Sequence, residues 1–589
     1  MLQGIPANAA PPLSFDLGGP ANNAPGFYNW DKKDFGPRVS LAWSPGYQGG
    51  LLGSLFGGPG KSTIRLGAGI VYDRLGPALL GTFDSQGSFG LSTGLTNTGG
   101  FETPAIAPRL TGLTGLSNIP TTDLDGNVLF APAPAGTFPQ TFPSGIDGAT
   151  GSYAVYWGMD NKIKTPYSYT FDLSVGRDLG HNFELNVAYV GRLSHRLLTQ
   201  ADVASPLDLV DPSTKVDYFA AATALAKLYR QGIPTADITP AMVGPTAQYW
   251  YNMLQHVPSY GLFCSGGNTP DALQAAYDLF SCFSGNETTA VQVLDQGFVT
   301  DSLGNSVYAV GGPYSFVDPQ FAALTAWRSI GTAAYNGLQV TLHRHYSNGL
   351  QFDVNYTYSK SIDLSSDANR IAAYGGLGGQ MINPWQPKAL RAVSDFDLTH
   401  QINANWIAEL PFGKGRWIGR ESHGFTEAII GGWQLSGLAR WTSGFPIGVT
   451  NGAQWPTNWE LSGFATQIAP VTTRGAVKNP DGTVNIFGNA AAVNAAFGSF
   501  DSDFPGQVGN RNALRGDGFA GLDLGLSKRW KIREGHSLQF RWDVFNALNL
   551  TRFDVQSLSL SVTNSSNFGN YTGLLTNPRV MQFALRYEF

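Results

Sequence analysis

The chain is short of charge. Asp, Glu, Lys and Arg make up 13% of its 589 residues, and 37 basic side chains face 42 acidic ones. A net charge of −5 without a basic stripe excludes the usual nucleic-acid binder. No apolar run approaches the ~18 residues that a spanning helix needs, and mean hydropathy is −0.10. If the chain crosses a membrane, it crosses with strands. His is scarce, with eight scattered copies, and no pair of acids clusters, so the sequence offers no enzyme. The opening Met1-Leu2-Gln3-Gly4-Ile5-Pro6 lacks the basic start and apolar core of an export signal.

What is abundant is Gly, with 73 copies, and aromatic residues at 12%. The aromatics fall in a pattern of period two. Met581, Phe583, Leu585, Tyr587 and Phe589 alternate with Gln582, Ala584, Arg586 and Glu588, so one strand face is apolar and the other polar. The apolar face runs to the carboxyl-terminal aromatic, which suits a strand covered by lipid and read by the barrel-assembly machinery through Phe589 and Tyr587. The same alternation recurs from Val39, Ile64, Tyr167, Phe183, Leu338, Leu350, Ile402, Trp433, Leu522 and Leu538. That gives about eleven strands near the length a tilted membrane strand requires. Trp433 and Trp441 lie eight positions apart on one apolar face, which spans roughly 20 Å of a tilted strand, close to a lipid-facing band between two aromatic belts. Trp406, Trp542 and Tyr167 are candidate members of the same belts.

Connection lengths sort independently. Alternating direction from the C-terminus puts short or moderate turns on one rim, at 46–60, 179–182, 346–349, 412–430 and 532–536. Long loops fall on the other, at 76–165, 195–331, 363–397, 445–518 and 549–577. This asymmetry marks an outer-membrane barrel. The fold class predicted is therefore all-β: a transmembrane antiparallel barrel, partial, with long extracellular loops that contain short helices. The first strand runs from the long-loop rim to the short-turn rim, so the expectation is that earlier strands precede it and that residues 1–34 are the rest of an external loop, with 35–589 the C-terminal part of the barrel. Helical spacing appears at 217–231 and 271–283, and Pro480-Asp481-Gly482 reads as a turn. Cys264 and Cys282 share one external loop and are disulfide candidates.

Several stretches resemble the Oar-like TonB-dependent receptors: Tyr335-Asn336-Gly337-Leu338-Gln339-Val340-Thr341-Leu342, Tyr356-Thr357-Tyr358-Ser359-Lys360-Ser361-Ile362-Asp363, Glu409-Leu410-Pro411-Phe412-Gly413-Lys414-Gly415, Gly431-Gly432-Trp433-Gln434-Leu435, Gly509-Asn510-Arg511-Asn512-Ala513-Leu514-Arg515-Gly516 and Asp543-Val544-Phe545-Asn546-Ala547-Leu548-Asn549. They cover most of 330–589 in family order; residues 30–200 match more loosely. The resemblance implies a 22-stranded barrel filled by a plug, which contacts TonB, with a carboxypeptidase-regulatory-like domain often ahead of it. Plug and leading domain are absent from this sequence. Implied partners are outer-membrane lipid, the assembly machinery and the TonB complex through that plug. The Gly, Pro and aromatic content of loops 451–464 and 76–165 makes them the expected capture surfaces, and large external loops suit a bulky solute such as an oligosaccharide or peptide. No cofactor and no nucleic acid are implied. Rival readings are a surface barrel for adhesion and a soluble secreted carbohydrate-binding β protein.

Other motifs are weak. Gly90-Leu91-Ser92-Thr93-Gly94 spells a nucleophile elbow without strand-to-helix context. Gly60-Lys61-Ser62 lacks the first glycine of a phosphate loop. His343 and His345 share a face but lack a third metal ligand. Asp123, Asp125 and Asn127 read as a turn, and Arg515-Gly516-Asp517 as a loop end. Arg65, Arg440 and Arg541 with Asp172, Asp353 and Asp543 are candidate charge ladders on the polar face.

Overall fold

A computed structural model describes residues 14–24, 26, 31–73, 138–141, 154–160, 162–206, 208–295, 299–300, 306–307, 316–318, 320–366, 380–451, 463–471, 476–498 and 503–589. Its frame is one antiparallel sheet in which eleven strands pair in chain order. They are β1 (Arg38–Trp43), β2 (Ser62–Tyr72), β3 (Tyr167–Gly180), β4 (Phe183–Asp202), β5 (Phe321–Ser347), β6 (Leu350–Asp363), β7 (His400–Glu409), β8 (Trp433–Thr442), β9 (Phe519–Arg533), β10 (His536–Phe545) and β11 (Val580–Glu588). Among the described residues the outer edges of β1 and β11 have no partner. No described helix is long and apolar enough to cross a membrane.

Register keeps the two faces apart, because a slip of one residue would exchange them. Phe583 pairs with Trp542, Trp542 with Leu526, Leu526 with Leu435, Leu435 with Ala408 and Ala408 with Leu350, one unbroken apolar row across six strands. Aromatic rings collect at two heights of this face. Near the long-loop rim, Tyr167 lies 6.0 Å from Tyr72 and 5.3 Å from His195, and His400 lies 5.2 Å from Tyr358 and 6.4 Å from Trp441. Near the short-turn rim, Trp433 lies 5.9 Å from Phe540 and 6.4 Å from Trp530, and Tyr587 lies 6.0 Å from Phe589.

The moderate turns are helical. Helix α1 (Gly50–Phe56) joins β1 to β2. The β7–β8 turn carries a helix at Gly424–Ile430, and its terminal carbonyls are not orphaned. The Trp433 indole N–H donates to Ile429 at 2.8 Å and that of Trp530 to Ala428 at 2.7 Å. Two belt residues thus put their apolar rings on the sheet face and their one donor into a helix end.

On the long-loop rim, β4 and β5 continue past their neighbours as a ribbon. Its sides are covered by a parallel strand at Ala154–Met159 and a short one at Gln380–Met381. It carries helices α2 (Tyr218–Tyr229), α3 (Thr246–Met253), α4 (Ala272–Cys282) and α5 (Glu287–Asp295). Asp217 and Asp271 start two of them by accepting backbone N–H groups, from Ala220 at 2.7 Å and from Leu273 at 2.8 Å. Tyr218, Tyr249, Trp250, Met253 and Phe280 form a closed core there. A second core, with Phe487, Phe568 and Val449, joins loops 445–518 and 549–577.

Candidate functional site

The polar face of the sheet carries the candidate site. Beneath loop 549–577, strands β7 to β11 line a hollow of about 650 Å³, within the range of ligand sites. Register pairs Asn403 with Arg440 and Arg440 with Gly521 in one row, and Asn405 with Leu438 and Leu438 with Asp523 in the next. The Arg440 guanidinium lies 5.7 Å from the Phe519 ring centre. Asp523 accepts the Asn546 backbone N–H at 2.8 Å, and the Asn546 side chain bonds the carbonyls of Leu550 and Asn577 at 3.0 and 2.9 Å. Asn546 holds a left-handed φ of 49°, a conformation Asn tolerates well. Among the described residues Arg440 is in no ion pair, and Asn403 and Asn405 make no side-chain hydrogen bond. The hollow therefore offers free amides, a free guanidinium, a carboxylate and the rings of Phe519 and Phe545. That set suits a neutral or zwitterionic polar solute with many donors and acceptors.

Above the hollow, the loops are braced into one cap by a buried charge cluster. Arg511 donates to Asp363, Asp395 and the Ser366 hydroxyl, each at 2.7 Å. Burial pulls the Arg511 pKa down, but Asp395 and Asp363 outweigh it and hold the guanidinium above its ordinary value. Asn512 bonds Asp395 and the Val393 carbonyl at 2.7 Å, and Arg515 binds the Asp397 carboxylate and, at 3.2 Å, the Gly444 carbonyl. Arg515 is thus committed to loop 363–397, and the Arg515-Gly516-Asp517 tripeptide is a brace. The helical module joins the same cap: Trp385 donates to the Pro206 carbonyl at 2.8 Å, and Arg230 donates to the Asp503 carbonyl and lies 4.3 Å from the Phe504 ring centre.

Cys264 and Cys282 are joined as a disulfide, Cα atoms 5.5 Å apart. Fully buried Asp278, one turn before Cys282, accepts the backbone N–H groups of Cys264 at 2.8 Å and Ser265 at 3.0 Å and so pins the turn that carries Cys264. Trp433 and Trp441 stand at opposite ends of β8, Tyr167 at the long-loop end of β3, and Phe589 and Tyr587 at the short-turn end of β11. Trp406 departs from the belt assignment. It sits at mid-height, opposite Gly437, over which its ring leaves no room for a side chain. Trp542 lies two residues above the level of Trp433 and stacks on Phe583 at 5.7 Å.

The expected charge ladders are mostly absent among the described residues. Arg541 pairs with Asp543 on its own strand at 2.8 Å. Asp353 is taken by His343, whose other nitrogen contacts His345 at 3.0 Å. Arg65 and Asp172 are in no ion pair among the described residues; Asp172 stands opposite Gly67, and its carboxylate lies over that glycine. No described group of three or more His, Cys, Asp or Glu could hold a metal. Loop 76–165 and stretch 451–464 fall largely outside the described residues, as do Gly90–Gly94 and Asp123–Asn127. The hollow itself escaped sequence reading, although Asn403, Asn405, Arg440 and Asp523 all stand in the polar phase of recognised strands.

No curated protein matches the chain. Among solved structures it is similar to the outer membrane transporter YddB from Escherichia coli, at 8% identity and a TM-score of 0.34, with 90% of this chain and 38% of that one covered. It is also similar to a variant of the ferric enterobactin receptor PfeA from Pseudomonas aeruginosa, at 9% identity and a TM-score of 0.32, with 94% and 40% covered. A third is BauA, the ferric preacinetobactin receptor from Acinetobacter baumannii, at 9% identity and 0.27, with 90% and 34% covered. The chain spans less than half the length of these structures. A family model described as outer membrane beta barrel domain matches residues 6–582, almost the whole sequence, and the chain therefore belongs to that family and to the outer membrane.

Proposed function

We propose that this chain is the C-terminal part of a TonB-dependent receptor that captures a bulky polar solute, an oligosaccharide or peptide, beneath its external cap and passes it through a plugged lumen. The observation that carries the reading is the hollow under loop 549–577, where Asn403, Asn405, Arg440 and Asp523 present unspent hydrogen-bonding capacity beside Phe519 and Phe545. Free polar groups facing a water-filled lumen are a ready site for a solute that supplies the missing partners. The family-order motifs between 330 and 589 support the same assignment.

The sheet edges support a longer barrel. Unpaired backbone cannot stay exposed in hydrocarbon, where each group costs several kcal/mol. Strands β1 and β11 lie ten steps apart in an alternating series, so they run the same way. An odd number of further strands is needed to close the wall antiparallel. Such strands, with a plug that contacts TonB, complete the proposed receptor.

Uptake decides between this and a non-transporting adhesive barrel, which the size and bracing of the cap favour. Cells carrying the gene in its full natural frame are offered labelled oligosaccharides and peptides, with and without dissipation of the proton-motive force. A transporter accumulates one class only when energised, and Arg440→Ala lowers that accumulation at least tenfold with unchanged protein level. Energy-independent surface retention without accumulation would establish the adhesive barrel instead.

A further inference from the structure

A second hollow, of about 730 Å³, lies on the opposite, apolar face at the long-loop rim, between residues 31–34 and the ends of β2 and β3. Its floor is made by Ile70, Tyr72, Tyr167 and Tyr169, all in the lipid-facing phase and paired directly across the strands, Ile70 with Tyr169 and Tyr72 with Tyr167. Its upper wall carries Lys33, Lys162, Lys164 and Arg196. The Arg196 guanidinium lies 5.1 Å from the Tyr167 ring centre, which fixes it on the lipid-facing side. Among the described residues none of the four cations is in an ion pair; nearby Asp160 is taken by Arg328 at 3.1 Å. Two carboxylates, Asp31 and Asp34, share the hollow, and Asp31 accepts the Lys33 backbone N–H at 3.0 Å. Four cations facing two carboxylates leave an excess of positive charge. The lower belt differs: there Lys528 sits between two indoles, 5.5 Å from Trp433 and 5.4 Å from Trp530.

We propose that this hollow binds the phosphorylated sugar headgroup of an outer-leaflet glycolipid. Its position supplies the argument. It opens toward lipid at the height where the outer aromatic belt marks the boundary between hydrocarbon and headgroups. There a guanidinium and three ammonium groups meet phosphate, the tyrosine rings and hydroxyls meet the sugar, and acyl chains run down the apolar row of Leu66 and Leu173 below. Basic pockets between membrane helices bind lipid headgroups, and a guanidinium pairs with phosphate in two-pronged fashion. The proposal rests on the outer-membrane location and not on transport, so it stands or falls separately from the uptake experiment.

The test uses the full chain extracted in mild detergent, titrated with mixed micelles that carry diphosphoryl lipid A, with the same lipid stripped of both phosphates, and with inorganic phosphate. Binding is read by native mass spectrometry. Diphosphoryl lipid A binds at least tenfold more tightly than the stripped lipid, weakens as salt rises, and is not displaced by millimolar phosphate. Combined Lys33→Gln, Lys162→Gln, Lys164→Gln and Arg196→Gln abolishes the preference, whereas Lys478→Gln in an exposed loop leaves it. If the combined variant does not assemble, Arg196→Gln alone lowers the affinity several-fold, and Arg196→Lys restores part of it. Equal affinity for the stripped lipid overturns the proposal, as does an unchanged preference in the variants or saturation of the site by inorganic phosphate.

Discussion

The wall and the cap use apolar residues in opposite ways. In the cap, Trp250 and Phe280 are fully buried, whereas on the wall Phe583 and Leu585 are about two-thirds exposed. A soluble fold would not tolerate that contrast, because exposed aromatic rows of this size mark an interface. The cap makes its own core in water, and the wall has none; its apolar half is completed by lipid. Stability of the cap is therefore intrinsic, while that of the wall depends on the medium.

The largest expected effect breaks the cap alone. Arg511→Leu leaves the buried carboxylate of Asp363 and the partly buried one of Asp395 without a cation, and removing one partner of a buried pair costs on the order of 3–5 kcal/mol. The cap should then become a substrate for externally added trypsin, while the wall keeps its heat-modifiable gel mobility. Loss of both together would show that cap and wall are one cooperative unit.

The next effect reverses the selection. Leu524 pairs with Gly437 at mid-height on the lipid side. Leu524→Lys should cost roughly 2–4 kcal/mol in a bilayer, measured by urea unfolding in vesicles, and far less in a detergent micelle that adapts around the charge. The cap should be indifferent to it. An equal cost in both media would mean that this face does not meet hydrocarbon. Smaller again is reduction of Cys264–Cys282, which closes a span of 18 residues. Opening it should lower cap stability by about 3 kcal/mol at most in the chain-entropy account, seen as faster amide exchange in α4 with no change in β7 to β11. Unchanged exchange would show that Asp278 alone holds that loop.

How much of this could be read beforehand follows from the same contrast. All eleven strands announced themselves because each has a different solvent on its two faces, which writes period two into the sequence. The upper part of β5, from Phe321 to Gly331, did not. Above the rim both its faces are covered, so Phe321-Ala322-Ala323-Leu324-Thr325-Ala326-Trp327 has no alternation to show. Helices α2 and α4 were legible through the helical spacing at 217–231 and 271–283. The Arg511 stretch was recognisable as a motif, but its partners Asp363 and Asp395 are more than a hundred residues away. The hollow on the polar face is assembled from five strands, and nothing local in any one of them distinguishes Asn403 or Arg440 from an ordinary lumen-facing residue.

The smallest prediction concerns the joint between the two parts of the cap. Asp503 is buried against Asn451, which donates to it at 2.8 Å, and Thr466. Burial raises its pKa to about 6, against the opposing pull of those hydrogen bonds. Asp208, ahead of α2, is raised to about 6 for the same reason. A carboxyl whose pKa is higher folded than unfolded takes up protons on folding. Its stabilising contribution is complete below about pH 4 and is lost as pH rises through about 6. For Asp503 the full swing is on the order of 2–3 kcal/mol, and roughly half of it lies between pH 5 and 7. Trypsin cleavage around Arg230 should slow as the medium is acidified from pH 7.5 to 5.5, and Asp503→Asn should flatten that dependence while leaving the wall's gel mobility unchanged at every pH. A cap that loosens in mild acid would contradict the sign, and one that is indifferent to pH would show that water reaches Asp503 and that the joint is less closed than its buried carboxyl requires.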